Sequence, residues 1–200
     1  MRKKIVVAIC GASGSIYGIR LLKALLNMPI EVFLIISNMG FKVLEHETGY
    51  KKEEPFENFL IENGIRFNKD SRLKIFNQDD FFSPPASGSF IHNGMVVAPC
   101  SMKTLGAVAT GLADNLIHRA SDVCLKEKRP LILLTRESPL SIIHLKNMYD
   151  AAMAGAVIMP PSPGFYLMPE KITDLIDSVI ARVLNHLEIK HELVKEWGAK

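Results

Sequence analysis

An α/β fold is predicted, a single domain in which a parallel sheet carries helices on both faces. Three observations predict it. Short apolar runs alternate with helical patterns along the chain. The runs Ile5–Cys10, Glu31–Ile36 and Leu131–Thr135 are apolar almost throughout, as a strand buried on both faces must be. The stretch Val6–Leu25, VVAICGASGSIYGIRLLKAL, passes from such a run through small residues directly into a helix. Strand, tight turn and helix form the repeating unit of a doubly wound sheet, Rossmann-like or flavodoxin-like.

The elements follow in order. Ile5–Cys10 reads as a strand and Ser15–Leu26 as the helix after it. Glu31–Ile36 is a second strand, Asn38–Glu47 a second helix, and Glu54–Asn63 a short third. Met95–Ala98 is a brief strand closed by Pro99, which has no N–H to give a ladder. Ser101–Gly111 and Asn115–Lys128 read as helices, Leu131–Thr135 as a strand, Ile142–Ala154 as a helix and Ala156–Met159 as a last short strand. Lys171–Leu187 is a long amphipathic helix, with Ile172, Leu175, Ile176, Val179, Ile180, Val183 and Leu184 at helical spacing. No internal repeat or interdomain linker is visible. Residues 1–200 therefore read as one domain, with the helix and tail of 171–200 packing on it or between subunits.

Composition narrows the function. Two hundred residues, 48% of them hydrophobic, supply one real core. A net charge of +3 without a basic block argues against nucleic acid. The basic start Met1–Lys4 precedes an apolar run too short for a signal peptide, and no stretch reaches membrane-spanning length. A cytoplasmic protein is expected. Cys10, Cys100 and Cys124 are odd in number and lack C-x-x-C spacing. They read as reduced core thiols rather than a disulfide framework or zinc site, with a lone catalytic cysteine as the other reading.

Loops that leave the carboxyl ends of parallel strands form the ligand crevice. Three stretches leave such ends: the opening GASGS, the segment after Ala98, and TRESP after Leu134. Gly11, Gly14 and Gly18 follow G-x-x-G-x-x-x-G rather than the G-x-G-x-x-G of a dinucleotide fold. GASGS offers backbone N–H groups and the hydroxyls of Ser13 and Ser15 at a helix start, suited to a phosphate or the polar edge of a flavin, or else to an ordinary capped turn. APCSMKTLG repeats this arrangement with Ser101 and Thr104. PPASGSF sets Gly88 between Ser87 and Ser89, so that another chain segment can approach closely, and the flanking Phe81, Phe82 and Phe90 call for burial. Arg136 and Glu137 adjoin a strand end, where they can bind an anion and move a proton or form a surface ion pair. Arg119 and Lys126 stand two helical turns apart, either a basic stripe or a wet face. His144 is a base or a structural histidine. No G-x-x-x-x-G-K-[ST], H-E-x-x-H or repeated aspartate motif is present.

Taken in order, GASGSIYGIRLL, PPASGSF, PCSMKTL, ATGLADNLIHRASDVCLKEKRPLILLTRESP, HLKNM and PGFY resemble the UbiX family of flavin prenyltransferases, formerly labelled aromatic acid decarboxylases. The likeness runs from about Ile5 to Trp197. It implies an FMN-binding enzyme that joins a dimethylallyl group from dimethylallyl monophosphate to N5 and C6 of reduced FMN, without a metal. The prenylated FMN passes to a UbiD-type decarboxylase, acting on a ubiquinone precursor or another aromatic acid. The resemblance assigns Gly11, Ala12, Ser13, Ser37, Ser101, Met102, Lys103, Thr104 and Arg136 to the flavin. It assigns Ser87, Gly88, Ser89, Lys126, Tyr166 and Arg182 to the substrate phosphate, and catalysis to Ser13, Glu47 and Glu137. Arg119 and Trp197 also match family positions. A homododecamer with shared sites is implied, which would bring Tyr166 and Arg182 to loops far from them in sequence.

On this reading, cationic groups stabilise the leaving phosphate, a protonated Glu137 acts as general acid, and Ser13 with Glu47 relays the proton lost from the flavin. Two rivals share the fold. An FMN-dependent cysteine decarboxylase usually carries P-A-S-A-N-T where this chain has PASGS, and a histidine base that this chain lacks there. A non-catalytic FMN carrier has no need of Lys126, Glu137, Tyr166 and Arg182 together.

Overall fold

The computed structural model describes residues 2–166 and 168–194. The chain begins with β1 (Lys4–Ile9), α1 (Ser15–Leu26), β2 (Glu31–Ile36), α2 (Asn38–Thr48), α3 (Phe56–Glu62) and β3 (Arg72–Asn77). A single 3-10 turn at Pro84–Ala86 interrupts the long connection to β4 (Met95–Cys100). Then come α4 (Met102–Thr110), α5 (Leu116–Lys126), β5 (Leu131–Thr135), α6 (Ile142–Met153), β6 (Val157–Ile158) and α7 (Ile172–His186). The strands form one sheet in the order β3-β2-β1-β4-β5-β6, every pairing parallel. This is the Rossmann order, and the winding reverses between β1 and β4.

Alternation along the strands sorts the core into two layers. Ile5, Val7, Ile9, Val32, Leu34, Ile36, Val96, Ala98, Ile132 and Leu134 face α1, α3 and α7. Val6, Ala8, Cys10, Phe33, Ile35, Met95, Val97, Leu131 and Leu133 face α4, α5 and Ala151 of α6. The apolar stripe of α7 (Ile176, Val179, Ile180, Val183, Leu184) lies in the first layer, and Asp177 grips Arg20 of α1 through two contacts of 2.5 and 2.6 Å. Helix starts are set by their own side chains. Ser37, Ser101, Asn115 and Ser141 each accept a hydrogen bond from the amide three residues on.

Three features differ from the sequence expectation. β3 was not anticipated. Its residues, RLKIFN, mix charged with apolar, because an edge strand is buried on one side only. β4 does not stop at Pro99 but runs to Cys100, and its register against β5 shifts between Val97 and Cys100. The missing N–H is accommodated by that irregularity, while Pro99 still accepts a bond from Cys10 N at 3.2 Å. Of the three aromatics flanking PPASGSF, only Phe90 is packed, 4.6 Å from the Phe33 ring centroid; Phe82 is fully exposed.

Two glycines decide how closely the layers meet at the reversal. A Cβ on Gly18 would lie 2.5 Å from the carbonyl oxygen of Ala98, so α1 can press on β4 only without a side chain there. Gly40 does the same for α2 against the Ile9 carbonyl, also at 2.5 Å. Both obstacles are backbone atoms that cannot swing aside. Gly18→Ala should therefore destabilise the chain by about 1–3 kcal/mol, the usual cost of overpacking. Urea unfolding of the two proteins measures it, and an unchanged midpoint would show that α1 shifts freely.

Candidate functional site

The crevice at the reversal is built by the chain's strand ends. After β1 the backbone turns through Gly11–Gly14, with Ala12 buried and Ser13 exposed. Ser37 N donates to Ile9 O at 3.0 Å, fixing the start of α2 beside this turn. Cys10 N bonds Pro99 O and Thr104 Oγ1 bonds Cys10 Sγ at 3.3 Å, fixing the start of α4 on the other side. Arg136 N donates to Cys100 O at 3.1 Å and places Arg136 next to Ser101 along the rim. One edge thus carries Gly11, Ala12, Ser13, Ser37, Ser101, Met102, Lys103, Thr104, Arg136 and Glu137.

The first loop already holds an anion of its own. Both oxygens of Glu47, at the end of α2, accept from Gly14 N at 3.0 and 3.1 Å, and Oε2 also accepts from Ser15 N at 2.8 Å. The start of α1 is therefore capped by a carboxylate rather than left open to a phosphate. Burial raises the pKa of this carboxyl, but hydrogen bonds from the Ser13 hydroxyl and from the amides of Gly14 and Ser15 outweigh it, and the net shift is downward. Glu47 is thus a carboxylate at neutral pH, held by Ser13 and by the amides that open α1.

The start of α4 differs. Ser101 Oγ takes the amide of Thr104 at 3.4 Å, and among the described residues the amides of Met102 and Lys103 have no protein acceptor. Thr135 Oγ1, at the end of β5, is buried without a partner among the described residues. The guanidinium of Arg136 is exposed beside them with no ion pair among the described residues. Open amides, an orphaned hydroxyl and a cation around one crevice fit a flat polar ring system carrying a phosphate tail. This donor set suits FMN.

The other predicted residues form two separate groups. On the α4–α6 face, toward the amino end of β5, Lys126 lies against the Ser87–Ser89 loop, where a Cβ on Gly88 would come within 2.9 Å of its Nζ. Lys126 Nζ meets Glu127 Oε1 at 2.7 Å, and Arg119 Nε holds Ala86 O at 3.0 Å. On the opposite face, Tyr166 and Arg182 line a cavity of about 1150 Å³ with Asn27 and Met28, past the end of α1. Within one chain these groups do not join the crevice. Glu137 is exposed and accepts from its neighbour Ser138 N at 3.0 Å. Trp197 lies outside the described residues.

Several open readings are narrowed. All three cysteines are buried free thiols. Burial pushes Cys10 up to about 11, Cys124 up to about 12 and Cys100 well above its ordinary value, so none is a thiolate nucleophile at neutral pH. His144 completes a capping box, accepting from Ser141 N through Nδ1 at 3.2 Å. Sequence reasoning passed over Arg129, whose guanidinium bonds Gly88 O and Phe90 O. In the run KEKRP a basic residue after a helix reads only as a partner for the helix dipole.

The Flavoprotein family model matches residues 1–184. The chain is 45% identical over 199 residues to the flavin prenyltransferase UbiX of Pseudomonas aeruginosa, covering 98% of this chain and 94% of that one. It is equally identical over 195 residues to the enzyme of the same name from Methanocaldococcus jannaschii, covering 98% of each. A crystal structure of AnUbiX (PadA1) in complex with FMN and dimethylallyl pyrophosphate superposes with a TM-score of 0.87 at 39% identity, covering all of both chains. That of a dodecameric FMN-dependent UbiX-like decarboxylase from Escherichia coli O157:H7 gives 0.85 at 38% identity, covering 98% of this chain and all of the other.

Glu47→Gln should lower thermal stability at pH 7. A carboxyl whose folded pKa lies below its ordinary value of 4.5 contributes stability above that value and loses it as pH falls through the folded pKa. The gap between wild type and variant should therefore close below about pH 4.5. Melting temperatures over pH 3–8 measure this, and a constant gap would remove the charge of Glu47 from the account.

Proposed function

The chain belongs to the UbiX family of flavin prenyltransferases, and on that premise we propose that it transfers the dimethylallyl group of dimethylallyl monophosphate to N5 and C6 of reduced FMN. The observation that carries the reading is the division of labour between two helix starts. Glu47 occupies that of α1, while that of α4 has open amides beside Arg136 and the orphaned Thr135 hydroxyl.

The flavin is held by Gly11, Ala12, Ser13, Ser37, Ser101, Met102, Lys103, Thr104 and Arg136. Reduced FMN supplies the nucleophilic ring atoms when bound. The substrate phosphate is held by Ser87, Gly88, Ser89 and Lys126 of one subunit and by Tyr166 and Arg182 of another. As the allylic C–O bond breaks, Lys126 and Arg182 neutralise the charge gathering on the phosphate oxygens, work done by a metal ion in diphosphate chemistry. Glu137, beside Arg136, acts as the general acid once protonated next to the departing phosphate. Ser13 passes its hydroxyl proton to the Glu47 carboxylate, with which it is hydrogen-bonded, as it takes up the proton released at the flavin ring.

Such a site needs several copies of the chain. The three groups of site residues lie on different faces of one subunit, and α6 leaves Ile142, Ile143, Tyr149 and Met153 exposed, an apolar surface suited to burial between subunits. A homododecamer is the assembly proposed, with a UbiD-family decarboxylase receiving the product. The work is done in the cytoplasm on this reading; no described helix is long and apolar enough to cross a membrane.

The direct test incubates the protein with reduced FMN and dimethylallyl monophosphate, without metal, and weighs the flavin by mass spectrometry. The flavin should gain one dimethylallyl group, in excess EDTA as well as without it. Unaltered flavin, with carbon dioxide released from a cysteine-terminated peptide, would favour a cysteine decarboxylase. Unaltered flavin with neither reaction would leave an FMN carrier.

Two variants separate the roles. Glu137→Gln should keep FMN affinity and slow single-turnover transfer by roughly 10²-fold or more. Arg182→Ala should weaken dimethylallyl monophosphate binding by about 2–3 kcal/mol and leave flavin affinity unchanged, with Arg182→Lys recovering part of the loss. An unchanged transfer rate in the first, or unchanged substrate saturation in the second, would remove that residue from the site.

A further inference from the structure

From the hydrogen bonds around the Ser87–Ser89 loop we infer that Arg129 is a positioning residue for substrate phosphate binding, holding this loop opposite Lys126. The inference rests on the phosphate-binding reading of Ser87–Ser89 and Lys126 proposed above.

Arg129 NH1 donates to Phe90 O at 2.8 Å and NH2 to Gly88 O at 2.7 Å. A single planar fork thus grips carbonyls two residues apart and brackets Ser89. Inside the bracket the loop is already closed on itself. Ser87 Oγ and Ser89 Oγ lie 2.8 Å apart, and Phe90 N donates to Ser87 O at 3.2 Å. Phe90 is packed on Phe33 and Ala86 is held by Arg119, so the loop's two ends are anchored. Between them Ser87, Gly88 and Ser89 carry no apolar side chain, and the fork is the side-chain contact that fixes the Gly88 carbonyl.

The other end of the fork is equally determined. Lys128 is left-handed (φ 54°), and Arg129 N donates to Cys124 O at 2.8 Å while Lys128 N donates to Leu125 O at 3.1 Å. This paired C-terminal cap sets the direction in which Arg129 leaves α5. Lys126 sits in the last turn of the same helix, so one cap orients both the fork that holds the loop and the ammonium that faces it. Arg119, two turns earlier, secures the entry of the loop through Ala86 O. With its carbonyls turned toward arginines, the loop presents its serine hydroxyls beside Lys126, whose ammonium an incoming anion must draw from the Glu127 carboxylate 2.7 Å away.

The arrangement predicts a specific kinetic pattern. In the assembled, FMN-loaded protein, Arg129→Ala should raise the dimethylallyl monophosphate concentration giving half-maximal transfer by about tenfold or more, the scale of a lost charge-assisted hydrogen bond. The maximal rate and FMN affinity should hold. Arg129→Lys should recover little, because an ammonium cannot span both carbonyls. Combined with Lys126→Ala, the effect of Arg129→Ala should largely vanish, since a misplaced loop matters only if Lys126 faces it. Wild-type half-saturation in Arg129→Ala, full recovery in Arg129→Lys, or additive losses in the double variant would overturn the role of Arg129 while wild-type transfer stands. A joint fall of FMN affinity and melting temperature with half-saturation unchanged would make Arg129 merely structural and overturn it too. Failure of wild type to alkylate FMN would overturn the functional reading and this inference together.

Discussion

The backbone of Ala98 lies where a side chain on Gly18 would be, and the backbone of Ile9 lies where one on Gly40 would be. This close approach at the junction of β1 and β4 is the constraint on which the crevice depends. Without it α1 and α2 would stand off the sheet, and the turn at Gly11–Gly14 would no longer lie beside Ser37 and Ser101. The bonds that lace the junction, Cys10 N to Pro99 O and Ser37 N to Ile9 O, are both made by the backbone. The site's shape therefore owes little to the identity of most side chains around it and much to the absence of two.

Within that frame electrostatics is arranged by occupation. A helix start attracts anions, and a crevice with several starts would bind phosphates indiscriminately. Here the carboxylate of Glu47 fills the first start and Gln78 Oε1 takes the amide of Asn38 at the second, at 3.1 Å. The amides at the third, on Met102 and Lys103, are available, next to Arg136. The pattern leaves one open anion-binding start at this edge, while the first loop is tied to Glu47. The depressed pKa of Glu47 follows from the same contacts that cap α1, so fold and chemistry draw on one interaction.

The remaining candidate residues illustrate a different economy. Lys126, the Ser87–Ser89 loop, Arg119 and Arg129 share one face, and Tyr166 and Arg182 share a cavity on the other. Exposed charges such as Lys126 and Arg182 stabilise a single chain little. On the reading proposed above they are halves of a site closed by neighbouring copies, and α6 leaves apolar side chains exposed that such closure would bury.

The sequence by itself determined the doubly wound architecture, because period and apolar runs depend only on neighbours along the chain. Most elements, the serine cap of α4, and the three loops of the crevice edge were legible in this way, while motif resemblance brought the family. Other features were decided only by the tertiary structure. β3 escaped because an edge strand carries charge on its wet side, and β4 passed through Pro99 because a register shift at its neighbour relieved the missing donor. Phe82 stayed exposed because burial is settled by what packs opposite, not by hydrophobicity. The capture of the α1 start by Glu47, thirty-two residues from Ser15, and the hold of Arg129 on Gly88, forty-one residues away, are contacts that no local pattern encodes. Hydrogen bonds between residues so far apart exist only once the chain has folded, and they decide which of the anion-binding starts is open and where the serine loop stands.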